Sequence, residues 1–151
     1  MGDTSMDQAR GLLALAGRAL IVGIFLVSVV FNKIPNYSVV ADNMGGKGVP
    51  APTIMLGLAI VFMVLGSVSV MVGFKARIGA LLLLIFLVLA TYYFHHFWNP
   101  PPRDTLPNWK AEQLTHFLKN ASLIGTMLFL IANGSGPGSL DELLARRRLA
   151  E

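Results

Sequence analysis

The sequence predicts an all-α integral membrane protein: a four-helix transmembrane bundle followed by a short interfacial C-terminal helix. Three observations predict this class. Hydrophobic residues make up 54% and charged residues 13% of the 151 residues, whereas a soluble domain carries about 25% charge. The mean hydropathy is +0.64. The apolar residues form four stretches, the first three of which have about the 20 residues that a membrane-spanning helix needs. These stretches are Gly11–Phe31, Pro52–Phe74, Ile78–Trp98 and Leu114–Ala132.

The first apolar stretch is expected to remain as a span. Its leader carries Asp3, Asp7 and Arg10 in place of a basic cluster, and no small-residue cleavage pattern follows, so a cleaved signal peptide is not indicated. The helix should end near Asn32, because Pro35 lacks a backbone donor and disfavours helical geometry at the residue before it.

The connections between the spans carry turn and breaker residues. A short helical piece is predicted at Tyr37–Met44. The glycines that follow are expected to end it, and Pro52 is expected to start the second span. Spans two and three are joined by little more than residues 75–77, so they should form an antiparallel hairpin. The segment Asn99–Pro107 contains four prolines and is expected to be an extended loop.

The fourth helix is expected to start near Asn108 and to stop at the glycines after Asn133. Beyond that stop, Ser139 and Glu142 have the spacing of a capping box, which predicts a short helix. This helix combines leucines with the basic run Arg146–Arg148. It would suit the lipid headgroup layer or a partner subunit. We expect residues 1–151 to form a single transmembrane domain.

Composition excludes several kinds of chemistry. The chain has no cysteine, so disulfides, thiolate catalysis and iron–sulfur clusters are excluded, and any redox role needs a bound cofactor or a quinone. The net charge is +4, but the basic residues lie at the ends of spans, where they meet lipid phosphates, and no nucleic-acid partner is expected. The short basic turn at Lys75 and Arg77 favours termini in the cytoplasm.

Arg18 is a charged residue deep within an apolar span, which costs several kcal/mol unless the charge is compensated. No Asp or Glu lies in any span, so an internal ion pair is not expected. The side chain could reach back to the headgroups, or meet an anionic ligand, a quinone carbonyl or an acidic residue of another chain. We predict contact with helix-end carbonyls, a lipid phosphate or a partner's carboxylate.

Titratable and aromatic side chains converge where span three ends and span four begins, opposite the termini. They are Tyr92, Tyr93, His95, His96, His116 and Lys119. Imidazoles can ligate a metal or haem, or exchange protons with a quinone held between helices. Interfacial histidines that bond loops and lipid are the alternative without a ligand.

The histidine spacing argues against a metal. Adjacent histidines on a helix point about 100° apart, and no pair at i,i+4 completes a ligand set. We therefore predict no metal site and assign no catalytic residue. The predicted cofactor-binding residues, with a quinone as the candidate cofactor, are Arg18, Lys33, His95, His116 and Lys119.

Small residues recur at positions where helices could meet. Gly66 and Gly73 lie seven positions apart, and Ala121 and Gly125 lie four apart. Close helix packing is expected at these positions, against a helix of this chain or of another.

Taken together, these residues resemble the DoxX family of small four-span prokaryotic membrane proteins over nearly the whole chain. The most specific match is His116-Phe117-Leu118-Lys119-Asn120 followed by Gly134, Gly136, Ser139, Leu140 and Asp141. Other matching features are Arg18 with Gly23-Ile24-Phe25-Leu26 and Lys33, residues 48–52, Gly73 with Arg77, Ala90-Thr91 and Phe94-His95.

The resemblance implies a multi-pass protein of the prokaryotic cytoplasmic membrane, and a subunit associated with a quinone-linked redox complex. Lipid and other membrane subunits would be its partners. One departure matters: the family often has a glutamate before a glycine pair in the second span, where this chain reads Met63-Val64-Leu65-Gly66-Ser67. The departure favours a subunit without a self-sufficient active site. The alternative is a purely structural accessory subunit that stabilises a larger membrane complex.

Overall fold

The computed structural model describes residues 2–95, 97–98 and 108–149. The predicted proline-rich loop at 99–107 lies outside these residues, as does His96. The described part is helical and has no strand. Its elements are α1 (Gly2–Ser28), which continues as a π-helical turn (Val29–Lys33), α2 (Tyr37–Gly46), α3 (Pro52–Val72), α4 (Ala76–Phe94), α5 (Trp109–Asn133) and α6 (Leu140–Arg148).

Four of these helical segments are long and apolar enough to cross a membrane. They are Ser5–Lys33, Pro52–Val72, Ala76–Phe94 and Trp109–Asn133. The predicted fold class is thereby confirmed, as are the short second helix and the capped C-terminal helix. The start predicted for the fourth helix also holds, because α5 begins at Trp109 directly after Asn108.

The end of the third span was predicted wrongly. The helix α4 stops at Phe94 instead of continuing to Trp98, and His95 leaves helical geometry with φ −124° and ψ 41°. The aromatic residues that follow fold back onto α5. The rings of Phe97 and Trp98 lie 5.3 and 6.0 Å from the ring of Phe117 in edge-to-face geometry. Apolar composition extended the predicted span past Phe94, whereas the aromatic residues after it pack in a turn against α5.

The first helix starts earlier in the chain than the apolar stretch that predicted it. It begins at Gly2, because the polar leader continues the helix outside the apolar stretch. Its end near Asn32 is confirmed, and the last turn is widened: the N–H of Ile34 donates to the carbonyl of Val29 at 3.0 Å. This i,i−5 bond lies just before Pro35, which cannot continue the helix.

The helices pack as an antiparallel series in which α3 lies between α1 and α4, and α4 lies between α3 and α5. The predicted hairpin of α3 and α4 is confirmed and is held close by glycines. A Cβ atom built on Gly66 would lie 2.8 Å from the carbonyl oxygen of Gly79, so neither position has room for a side chain. The helix α2 packs on the start of α3 through a second apolar cluster around Leu56.

Among the described residues, no other helix packs against the small-residue pair on α5. Ala121 and Gly125 are exposed, and a Cβ atom on Gly125 would meet nothing within 4 Å. The expectation of close packing is therefore confirmed for Gly66; for α5, where the expected partner could also be a helix of another chain, it stays a prediction.

Candidate functional site

Arg18 is folded into the end of the bundle that carries the chain termini. We call this end the terminal face; it comprises the α3–α4 turn (residues 73–75) and the segment 134–149. Arg18 is only 3% exposed. Its Nη2 donates to the carbonyl of Gly138 at 2.9 Å and its Nε to that of Ala14 at 3.3 Å. Among the described residues no carboxylate pairs with it. Backbone carbonyls therefore compensate the charge, as one of the predicted alternatives required.

The second guanidinium nitrogen of Arg18 is held against Gly73. Its Nη1 is buried and has no hydrogen-bond acceptor among the described residues. Gly73 has a φ of +69°, and a Cβ atom there would overlap Arg18 Nη1 and lie 2.5 Å from Ser139 Cβ. Glycine is required at this position on two independent grounds: the left-handed backbone and the missing side chain.

The C-terminal segment docks onto the α3–α4 turn through one carboxylate and one backbone bond. The N–H of Asp141 donates to the carbonyl of Gly73 at 3.0 Å. Asp141 Oδ1 accepts from the N–H of Lys75 at 3.0 Å, and its Oδ2 accepts from Ser135 Oγ at 3.1 Å. Because the bonds from Asp141 to Gly73 and Lys75 join residues 68 and 66 positions apart, the segment closes the terminal face of the bundle.

The N-terminus of α6 carries the predicted cap in a modified form. Ser139 Oγ accepts from the N–H of Glu142 at 3.2 Å, while Glu142 Oε2 accepts from the N–H of Gly138 instead of that of Ser139. Glu142 Oε1 also accepts from Arg146 Nη2 at 2.7 Å. The hydrogen bond from Arg146, followed by that from the Gly138 N–H, lowers the pKa of Glu142. The carboxylate form therefore stabilises this cap.

The opposite end of the bundle, where α4 ends and α5 begins, brings two of the predicted histidines together. We call it the histidine face. The rings of His95 and His116 are stacked, with centroids 5.0 Å apart and an interplanar angle of 27°. His95 Nδ1 lies 3.0 Å from Gln113 Oε1, and Lys119 Nζ lies 3.2 Å from His116 Nδ1. The predicted convergence thus holds for His95, His116 and Lys119, while His96 lies outside the described residues.

Lys33 reaches into the bundle near the same end. Its Nζ donates to Ser28 Oγ at 2.8 Å and lies 5.6 Å from the ring centroid of Phe86 on α4. The Ser28 bond spans five positions, which matches the wide turn at the end of α1. A cation over an aromatic face is an attractive arrangement.

A hydrogen-bonded pair beneath the histidine face, made by the amide of Asn120 and the hydroxyl of Thr91, was not predicted from the sequence. Asn120 is 6% exposed, and its Nδ2 donates to Thr91 Oγ1 at 3.0 Å. Thr91 Oγ1 in turn donates to the carbonyl of Leu87 at 2.7 Å. A lone asparagine in the apolar run of α5 is the signal that could have found this pair, because a polar side chain at that depth needs a partner.

The five predicted site residues do not form one site. Fifteen positions separate Arg18 from Lys33, which corresponds to about 22 Å along a helix. Arg18 is enclosed at the terminal face, whereas His95, His116 and Lys119 lie together at the histidine face. Within the residues that the structure describes, no group of three or more His, Cys, Asp or Glu side chains could hold a metal ion.

Four apolar helices with polar clusters at both ends define a small multi-pass membrane protein that lies in a lipid bilayer. Comparison with known proteins gives the family. The DoxX family model matches residues 13–96, more than half of the 151 residues, and the chain belongs to the DoxX family. The predicted family resemblance is confirmed. The matched range contains Arg18, Gly73 and His95, whereas His116 and the closing segment lie beyond it.

A curated relative is similar to the chain over a longer stretch than the family model covers. The chain is 29% identical over 133 residues to the inner membrane protein YphA of Escherichia coli (strain K12). The alignment covers 88% of this chain and 91% of that protein. No solved structure matches the chain.

Proposed function

We propose that this chain is a DoxX-like subunit of a quinone-linked redox complex in the prokaryotic cytoplasmic membrane, with both termini in the cytoplasm and without a complete active site of its own. The observation that carries the proposal is the stacked His95–His116 pair with Lys119 beside it. The pair lies at the end of two spans, at the depth where a quinone headgroup leaves the hydrocarbon.

The chemistry of the histidine face suits a quinone headgroup. A quinone offers two carbonyl oxygens, and the Lys119 ammonium and a protonated imidazole nitrogen are donors for them. An imidazole also exchanges protons near neutral pH, which quinone reduction requires. Exposed apolar side chains on the adjacent helices, such as Leu89 at 52% and Leu118 at 55% exposure, can accompany an isoprenoid tail.

The redox centre itself is assigned to a partner subunit. Arg18, the strongest candidate for chemistry inside the bilayer, is enclosed and bonded to backbone carbonyls. A guanidinium used in this way stabilises the docked C-terminal segment. The chain also lacks cysteine, so it has no thiolate ligand for an iron–sulfur cluster, and we assign the electron donor for the quinone to the partner subunit.

Photolabelling tests the quinone contact. The purified protein is reconstituted in lipid nanodiscs and labelled with an azido-quinone, and the modified peptides are mapped by mass spectrometry. We expect labelling at the end of α4 and the start of α5, and at least about a fivefold loss in His116→Ala. Thr115→Ala is the matched control, because Thr115 is exposed and adjacent in sequence, and its hydroxyl donates to the carbonyl of Ala111 in the same helix. Labelling at the terminal face, or labelling unaffected by His116→Ala, contradicts the proposal.

The purely structural alternative is favoured by a different observation. The exposed pair Ala121 and Gly125 leaves a small-residue surface on the lipid side of α5, and such surfaces let a helix of another subunit approach closely. Under this alternative, Gly125→Leu releases the chain from its complex and quinone labelling is absent. Release by Gly125→Leu together with specific labelling at His116 would support both contacts.

A further inference from the structure

A groove at the terminal face lies between the start of α4, the end of α5 and the start of α6. Its volume is about 580 Å³, which lies within the range of about 300–1,000 Å³ for ligand pockets. The groove lies at the end of the bundle opposite the proposed quinone contact. Its charged lining consists of Lys75, Arg77, Asp141 and Glu142.

The two carboxylates of the groove are engaged by the chain itself. Asp141 accepts one hydrogen bond on each oxygen, from the Lys75 N–H and from Ser135 Oγ. Glu142 also accepts on both oxygens, from Arg146 and from the Gly138 N–H. All four carboxylate oxygens therefore have donors within the chain.

The two cations of the groove are much less engaged. Within the described ranges 2–95, 97–98 and 108–149, the ion pairs are Arg10–Asp7 and Arg146–Glu142. Neither Lys75 nor Arg77 takes part in them. Arg77 makes one long bond, from its Nη2 to the carbonyl of Ala132 at 3.3 Å, although a guanidinium has five N–H donors. Lys75 Nζ lies 5.6 Å from the ring centroid of Phe74.

The groove lies at one end of the two central spans. The helices α3 and α4 have 21 and 19 residues, so each is about 30 Å long and matches the thickness of the hydrocarbon core. The turn between them, which includes Lys75, therefore lies at the level of the lipid headgroups. Phosphate groups are concentrated at this level.

We propose that this groove is a binding site for a phosphate group. The Arg77 guanidinium donates to two phosphate oxygens in the bidentate geometry that this side chain favours, and the Lys75 ammonium approaches from the neighbouring turn. The phosphate is supplied by a phospholipid headgroup or by free phosphate. This inference is independent of the quinone contact, because the two sites lie at opposite ends of the bundle.

Native mass spectrometry of the delipidated protein in maltoside detergent tests the site. Dioleoyl phosphatidylglycerol is titrated in, and dioleoylglycerol, which lacks the phosphate, serves as the matched probe. We expect one saturable phosphatidylglycerol adduct, weakened about tenfold or more by Lys75→Gln/Arg77→Gln and less by Arg77→Lys, which keeps the charge. Lys47→Gln removes an exposed cation at the opposite end of the bundle, outside the groove, and should leave the adduct unchanged. Circular dichroism checks that each variant is folded.

The same titration with inorganic phosphate separates the two sources. A phosphatidylglycerol adduct that millimolar phosphate does not displace assigns the site to a lipid. Displacement, together with a higher thermal midpoint in phosphate that Arg77→Gln abolishes, assigns it to free phosphate. The proposal is overturned if dioleoylglycerol binds as well as phosphatidylglycerol, if Arg77→Gln leaves phosphate-dependent binding unchanged, or if Lys47→Gln weakens it equally.

Discussion

Replacement of Gly73 by alanine should destabilise the packing of the C-terminal segment at the terminal face. An alanine at φ +69° costs about 1–2 kcal/mol in backbone conformation. Its Cβ would also overlap Arg18 Nη1 and lie 2.5 Å from Ser139 Cβ. Arg18 and Ser139 are 3% and 1% exposed, so their side chains have little space into which to move. Overpacking therefore adds about 1–3 kcal/mol to the backbone cost. The expected destabilisation is about 2–5 kcal/mol.

Two other glycines separate the contributions to this destabilisation. Gly136 has a φ of +71° but an open Cβ position, so Gly136→Ala should cost only the backbone term of about 1–2 kcal/mol. Gly125 is helical and also open, so Gly125→Ala should be neutral or stabilise by up to about 1 kcal/mol.

Thermal unfolding of the three variants in one detergent, followed by circular dichroism, provides the assay. At about 2–4 °C per kcal/mol for a chain of this size, Gly73→Ala should lower the midpoint by about 4–20 °C, and clearly more than Gly136→Ala. Equal midpoints for these two variants would refute the packing of Arg18 against Gly73.

Four further substitutions test three single contacts. Arg18→Leu leaves the Gly138 carbonyl unpaired, at a cost of about 1–3 kcal/mol, so hydrogen exchange in residues 134–149 should rise about fivefold or more while membrane insertion persists; unchanged protection would refute the contact. The lowered pKa of Glu142 means that its stabilisation is present above the ordinary glutamate pKa and is lost as pH falls through the lowered value. Protection of α6 against hydrogen exchange should therefore fall only below about pH 4. In Glu142→Gln this protection should already be weaker at pH 7 and should not depend on pH. An equal loss of protection at acid pH in both proteins would contradict this. Asn120→Ala and Thr91→Val, in a double-mutant cycle of unfolding, should couple by about 0.6–1.7 kcal/mol, and a coupling of zero would exclude the bond.

The spans and their main boundaries follow from the sequence because local rules determine them. Apolar length predicts the four helices, Pro35 ends the first, and the Ser139–Glu142 spacing predicts the last. The convergence at the histidine face could also be predicted, because α4 ends and α5 begins on the same side of the membrane. Only the hairpin order of the helices was needed for that inference.

The terminal face could be predicted only in part. Its acceptor for Arg18 is the Gly138 carbonyl, 120 positions away, and backbone groups leave no sequence pattern. The sequence prediction placed Arg18 in one set of site residues with the histidines, although these residues lie at opposite ends of the bundle. The end of α4 was missed because aromatic residues are equally apolar in a helix and in a turn packed against Phe117.

Purification of the tagged chain from native membranes in a mild detergent tests the central claim most directly. Quinones in the eluate are quantified by mass spectrometry and co-purifying subunits are identified. We predict a stoichiometric quinone and a subunit that carries a flavin, haem or iron centre, with the quinone lost in His116→Ala and retained in Thr115→Ala. Recovery of the chain without quinone and without a redox-active subunit, at full membrane expression, would contradict the proposed function.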